Sequence, residues 1–208
     1  QCFSFDGKKY AGGRSKAEIR GGLFWSSAIF PGHEAQTAKC GYTFASGFGA
    51  FNRKRFLALG GYDDLYLPGI VEDADLGFRA WREGYRSYYV PEARVYHLGQ
   101  ASFEKAFGKK KIMVLAHRNA FLFIWKNISD PALLFEHVLL LIPRLMLSLV
   151  RGKTELILGF FTALPKLGEA LKKRAIPKIR AHSDREIFRL ANGEKIKRRH
   201  LFKNRGIR

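Results

Sequence analysis

Between Gly60 and His97 the hydrophobic spacing changes from that of a helix to that of a strand, which constrains the fold more than any other feature. Gly60 and Gly61 stop a short helix read over RKRFLALGG, and Pro68 and Gly69 mark the loop that follows. A second helix is predicted from Glu72 to Glu83, with acids in its first turn, where free amides and the helix dipole favour negative charge. Gly84 stands just past its end. Tyr85 to Val90 then alternates as a strand, Pro91 breaks it, and Ala93 to His97 reads as another short strand ending at His97. These alternating elements place the chain in the α/β class.

The flanks are less regular at the start and more helical at the end. Residues 1 to 45 are rich in Gly, Ser and aromatics without a sustained period and read as loops with short strands or turns. TFASGFGAFN is predicted to be a strand ending near Gly49. Residues 110 to 127 carry helical spacing at Ile112, Leu115, Phe121, Leu122 and Trp125, and Ser129-Asp130-Pro131 looks like the start of a further helix. Ala132 to Val150 is the most apolar stretch, near the length of a membrane span. It contains Glu136, His137, Pro143 and Arg144, and charges at a bilayer centre are costly, so a helix lying on a membrane or packed on protein is preferred to a spanning one. Ala181 to Arg208 is polar, basic and expected to be only partly ordered.

Composition narrows the partners. The net charge is +19, and from Arg151 onward 17 Lys and Arg face 5 Asp and Glu, so most of the excess sits near the C-terminus. Such a block implies an anionic partner. The Leu, Ile and Phe interleaved in TELILGFFTALPKLGEALKKRAIPKIR favour an anionic membrane surface over nucleic acid. Cys2 and Cys40 are too few for a disulfide framework, which points to a reducing, cytoplasmic setting, and with the membrane-surface reading the expected place is peripheral on the inner membrane face. The chain opens on Gln1 without signal-peptide features, so it is expected to be the C-terminal portion of something longer.

An acidic knot in so basic a chain needs a reason. When a sugar moves from a nucleotide diphosphate to a hydroxyl, a carboxylate can take the hydroxyl proton, and a divalent cation can neutralise the departing diphosphate. Asp73 at a helix start and His97 at a strand end are candidates for base and metal ligand.

The run SGFGAFNRKRFLALGGYDD followed by VEDADLGFRAWREGYRSYYVPEARVYH resembles the C-terminal half of the catalytic domain of family 2 glycosyltransferases, inverting enzymes of GT-A fold. The likeness covers about residues 42 to 127 and implies a C-terminal portion of that fold over 1–127, followed by a mainly helical, basic extension over 128–208. It implies that Asp73 is the catalytic base and that Glu72 shapes the acceptor site. Asp75 matches the next acidic residue of the motif, and His97 a histidine that completes a Mn2+ or Mg2+ shell. Arg118 and Asn119, in HRNAFLFIWK, match a follow-on motif that approaches the diphosphate. Gly60 and Gly61 are candidates for close approach to substrate and Trp81 for stacking on a sugar ring. The implied partners are a nucleotide-sugar donor and a saccharide or lipid-linked acceptor. The first, nucleotide-binding half of that family, with its Asp-x-Asp metal motif, has no counterpart here, and the Gln-x-x-Arg-Trp motif of processive synthases is absent.

Plainer readings stand beside these. Acids at a helix N-terminus are commonly caps, Asp75 pairs equally well with Arg79 four residues on, Gly60-Gly61 is most simply a turn, and Trp81 is most simply a packing residue. A non-enzymatic basic module bound to membrane or nucleic acid is the competing function class.

Overall fold

The computed structural model describes residues 1–28, 39–98, 101–174 and 181–194. About half of the chain is helical, and its strands form small separate sheets. In one, β1 (Cys2–Ser4) lies between antiparallel β2 (Tyr10–Gly12) and parallel β7 (Val95–His97). A hairpin joins β3 (Lys16–Arg20) to β4 (Leu23–Ser27), and β5 (Gly41–Tyr42) pairs antiparallel with β6 (Tyr88–Tyr89). The fold is therefore mixed α/β, as expected.

The helices are α1 (Arg53–Ala58), α2 (Glu72–Arg82), α3 (Ala101–Asn127), α4 (Pro131–Val150), α5 (Thr154–Ala163), α6 (Leu167–Lys172) and α7 (Asp184–Ala191). Helix α2 matches its predicted span within a residue. Asp130 caps α4 by accepting from Ala132 N and Leu133 N, with Pro131 in the first turn, where no intrahelical N–H is lost. Helix α3 begins earlier than its periodicity indicates and is broken at Gly108, whose φ of 71° and ψ of 156° are not helical.

Two strand expectations are corrected. TFASGFGAFN forms no strand, since β5 ends at Tyr42 just before it, and Tyr85 to Val90 contributes only Tyr88–Tyr89. Tyr88–Tyr89 finds only a two-residue partner, Gly41↔Tyr89 and Tyr42↔Tyr88, and a strand without a longer neighbour leaves its backbone groups to the loop. The region from Ala181, expected to be only partly ordered, contains α7, which opens with a capping box between Ser183 and Glu186. The tail from 195 to 208 lies outside the described residues.

The centre of the molecule is the second half of α3. Ala120 to Ile128 is buried on every side, the mark of a core helix rather than a surface one. Phe123 stacks on Phe24 of β4 at 3.7 Å between ring centroids and meets Phe78 of α2 edge-on at 5.3 Å. Each such ring contributes roughly 1.5–3 kcal/mol by leaving water. Leu133, Ala163, Ala170, Ile187 and Phe188 belong to the same cluster.

Helix α7 is locked in by polar contacts as well. Arg82 donates to Asp184 at 2.7 Å, Asp184 accepts from Asp130 N at 2.7 Å, and Asn192 exchanges bonds of 3.0 and 2.8 Å with the backbone of Ala17.

Candidate active site

The approach to α2 is unusual backbone. Ile70 and Val71 have φ of 74° and 77°, a region that costs β-branched residues dearly, so neighbouring groups must hold them there. Asn119 of α3 does so. Its buried amide nitrogen donates to the carbonyls of Tyr66 (3.1 Å), Gly69 (2.9 Å) and Ile70 (2.6 Å). Arg118 donates to Leu67 O at 2.5 Å, and its Nε donates to Asn119 Oδ1 at 2.9 Å. The Arg118-Asn119 pair thus clamps the loop that aims the first turn of α2.

Two carboxylates leave that turn in opposite directions. Residues two apart on a helix are separated by about 200° of rotation, so Asp73 and Asp75 cannot share a face. Asp75 points inward with no exposed surface and accepts from Tyr66 Oη (2.9 Å), Arg79 Nε (2.8 Å), Lys126 Nζ (2.7 Å) and Asn127 Nδ2 (2.7 Å). Asp73 points away from that network into a cleft and accepts from Ala74 N at 2.7 Å, and it is in none of the ion pairs among the described residues. Burial pushes its carboxyl above the ordinary aspartate range, only partly offset by backbone amides at the helix start. Glu72 is raised too, by burial first and then by the neighbouring Asp73, and its Oε2 is buried without a hydrogen-bond partner among the described residues.

Asp73 lines a cavity of about 320 Å³ between α1, α2 and the segments 43–52 and 85–88. Gly77 makes that wall possible. A Cβ there would sit 2.5 Å from Phe44 O and 2.8 Å from Ala45 Cβ, so only glycine lets the 43–45 segment cross α2 so closely. Ser15 fixes the same segment, donating to Ala45 O at 2.6 Å while accepting from Ala45 N at 2.9 Å.

Two guanidinium groups complete the cavity. Arg55 lies over the Tyr85 ring at 5.0 Å, and Arg86 lies over Tyr42 at 5.5 Å while donating to its hydroxyl at 2.6 Å. Neither is in an ion pair among the described residues. Aromatic rings border the acids. Burial and the carboxylates of Asp73 and Glu72 raise the Tyr62 phenol, and Tyr62 meets Phe56 edge-on at 5.5 Å. The chemistry-bearing face is thus one deprotonatable acid beside two unneutralised arginines.

The other expected site residues fall elsewhere. Substrate contact by Asp75 is corrected: its oxygens are consumed by the core network. For Trp81 the packing reading stands and sugar stacking is corrected, because its ring is fully buried, with Nε1 donating to Thr43 O at 3.2 Å, and offers no face to a sugar. Gly60 and Gly61, with φ of 81° and 65°, close α1 and do not line the cavity; Arg79 fastens them by donating to Gly61 O at 2.7 Å and to Leu59 O. Arg118 spends its guanidinium on loop carbonyls. Arg55, Arg86 and Gly77 carry no individual signal in the sequence; Asn119, which belongs with Arg118 to the HRNAFLFIWK motif, holds the loop before α2.

His97 is exposed at the end of β7, with its ring 4.8 Å from that of Phe48. Phe48 follows Gly47, where an added Cβ would lie 3.5 Å from Asp73 Oδ2, so the 46–51 loop spans the space between His97 and Asp73. A divalent cation needs several ligands, and among the described residues no three His, Cys, Asp or Glu converge on one point. The described residues therefore do not by themselves build a metal centre.

The chain is 32% identical over 99 residues to a Drosophila melanogaster protein named as a polypeptide N-acetylgalactosaminyltransferase, a match covering 45% of this chain and 16% of that protein. A distant, partial relative is thus a glycosyltransferase by name. The chain spans 16% of that relative's length. No family model and no solved structure matches the chain.

Proposed function

We propose that this chain carries the acceptor side of a nucleotide-sugar-dependent, inverting glycosyltransferase of GT-A type, with Asp73 as the base. The carrying observation is the contrast between the two acids: Asp75 is saturated by core donors, whereas Asp73 faces a cavity with a raised pKa and no cationic partner. A carboxylate left unneutralised in a cleft is suited to taking a proton.

In this reading an acceptor hydroxyl enters the cavity and donates a hydrogen bond to Asp73. As the hydroxyl oxygen bonds to the anomeric carbon, its proton passes to Asp73 and the nucleoside diphosphate leaves from the opposite face, inverting the centre. Arg55 and Arg86 hold an anionic group of the bound substrate on the far wall. His97 is proposed as one ligand of Mn2+ or Mg2+, the others lying outside the described residues; no step is routed through the ion.

The distant relative supports glycosyl transfer in general, and its name includes a polypeptide acceptor. The acceptor assay therefore sets peptide beside saccharide and lipid-linked saccharide, using the complete reading frame and a panel of nucleotide sugars. Transfer to a saccharide acceptor that is lost in Asp73→Asn with folding intact is the expected result. Wild-type transfer rates in Asp73→Asn would sink the base assignment.

A further inference from the structure

Helix α4 turns its polar side chains toward the protein, beside buried Leu133 and Leu145, and is apolar on the side that faces out. Glu136, His137 and Arg144 all reach one turn, Arg20 to Gly22, at the tip of the β3–β4 hairpin. Glu136 Oε1 accepts from Gly22 N at 2.9 Å, and Arg144 donates to Arg20 O at 3.2 Å. Trp125 Nε1 donates to His137 Nε2 at 3.1 Å, which leaves the proton on Nδ1 to be donated to Gly22 O at 2.6 Å. Gly21 and Gly22, with φ of 57° and 73°, form the tight turn that lets the hairpin touch the helix backbone.

The opposite face carries Phe135, Val138, Leu139, Ile142, Met146 and Leu149, each more than half exposed. Their spacing of three and four residues makes a single stripe along the helix. The helix is long and apolar enough to cross a membrane, yet its apolar window is only 22% buried, unlike the core helix of a soluble protein. Helix α5, packed on α4, adds exposed Leu158 and Phe161. At the end of the stripe stand exposed Arg151 and Lys153, with no ion pair among the described residues.

We infer that α4 lies in the plane of an anionic phospholipid bilayer, with the Phe135–Leu149 stripe in the acyl boundary and Arg151 and Lys153 among the headgroups. Charge complementarity selects this occupant, because a chain of net charge +19 presents unpaired cations at the edge of an apolar strip. The hairpin selects the orientation. A spanning α4 would carry the attached turn, with the charged Glu18 and Arg20, into hydrocarbon, whereas an in-plane helix keeps that turn on the watery side. The inference does not depend on the glycosyl-transfer reading.

The test is co-sedimentation of the chain with vesicles of phosphatidylcholine, alone or with one third phosphatidylglycerol, across a salt series. Wild type should bind the anionic vesicles and keep a salt-resistant fraction. Leu139→Glu with Ile142→Glu, both at exposed positions and checked by circular dichroism, should lower binding about tenfold or more. Arg151→Glu with Lys153→Glu should erase the preference for anionic vesicles while leaving the salt-resistant fraction. Trypsin added outside the vesicles should still cut at Arg20 in the bound chain. Unchanged binding by the double glutamate variant would overturn the proposal, as would protection of Arg20. So would a wild-type dimer without vesicle affinity that the same variant dissociates, since a second copy would then cover the face.

Discussion

The Lys126 ammonium lies 2.7 Å from Asp75 Oδ1 and 2.6 Å from Asp63 Oδ2, deep between α2, α3 and the turn at residues 64–66. This one cation ties the helix that carries the proposed base to the central helix of the core. Burial alone would raise the Asp63 carboxyl, but Lys126 and Lys173 hold it well below its ordinary value. Lys126→Met should cost about 3–5 kcal/mol, because it removes the most buried cation and leaves Asp75 with Arg79 alone and Asp63 with Lys173 alone. Urea unfolding measures this, and a loss below about 1 kcal/mol would refute the central role given to the pair.

The raised pKa of Asp73 fixes the sign of a pH effect. A base must be deprotonated to act, so the acid limb of kcat/KM should lie above the ordinary aspartate value of about 4. Asp73→Asn should lower kcat by about 10²–10⁴ with little change in thermal stability. A pH–rate profile on wild type and a transfer assay on the variant provide the check.

Asn119 acts through the loop it holds. Asn119→Ala frees the carbonyls of Tyr66, Gly69 and Ile70, which should cost about 1–3 kcal/mol and lower kcat more than it changes KM. Asn119→Asp keeps the shape but turns donors into acceptors against three carbonyls, so it should be no better than alanine. Rescue by aspartate would show that the amide is not the clamp.

Arg55 and Arg86 should govern binding rather than the chemical step. Replacing either with Gln should raise KM for a substrate bearing phosphate or carboxylate about tenfold and leave kcat nearly unchanged. Steady-state kinetics separates the two. An equal fall in kcat and kcat/KM would place the arginine at the reacting centre instead.

His137 makes stability depend on pH. Burial pulls its pKa below the ordinary histidine value, against a smaller raising effect from its bond to Gly22 O, so the unfolded chain takes up a proton first as pH falls. Its contribution is full above about pH 6.5 and is lost progressively below that value. His117 and His182 shift in the same direction, chiefly by burial. The melting temperature should fall between pH 7.5 and 5.5 (about two units around that value), and His137→Gln, which can keep both hydrogen bonds, should flatten the slope.

Local signals in the sequence were accurate where the local backbone decides the outcome. The acids at Glu72 and Asp73 and the glycine at 84 bracketed α2, and Asp130-Pro131 marked the start of α4. The polar residues that argued against a spanning α4 do face one side, where they grip a turn 115 residues away in sequence from His137. The strands were harder to read, because β5 and β6 are two residues long and exist only through each other. Residues 72 to 75 showed the limit most clearly: one motif supplied both a core anchor and a candidate base, and its spelling did not say which was which.

The sequence by itself determined the mixed α/β class, the helix that carries the acids, the concentration of positive charge and the apolarity of α4. Tertiary structure alone decided which acid is available, because that depends on where Lys126, Tyr66 and Asn127 arrive, 51, 9 and 52 residues from Asp75. Periodicity places a side chain on a face of its own helix. Only packing determines whether that face meets water, a cavity or a buried cation, since long-range contacts set the solvation on which a carboxylate's charge depends.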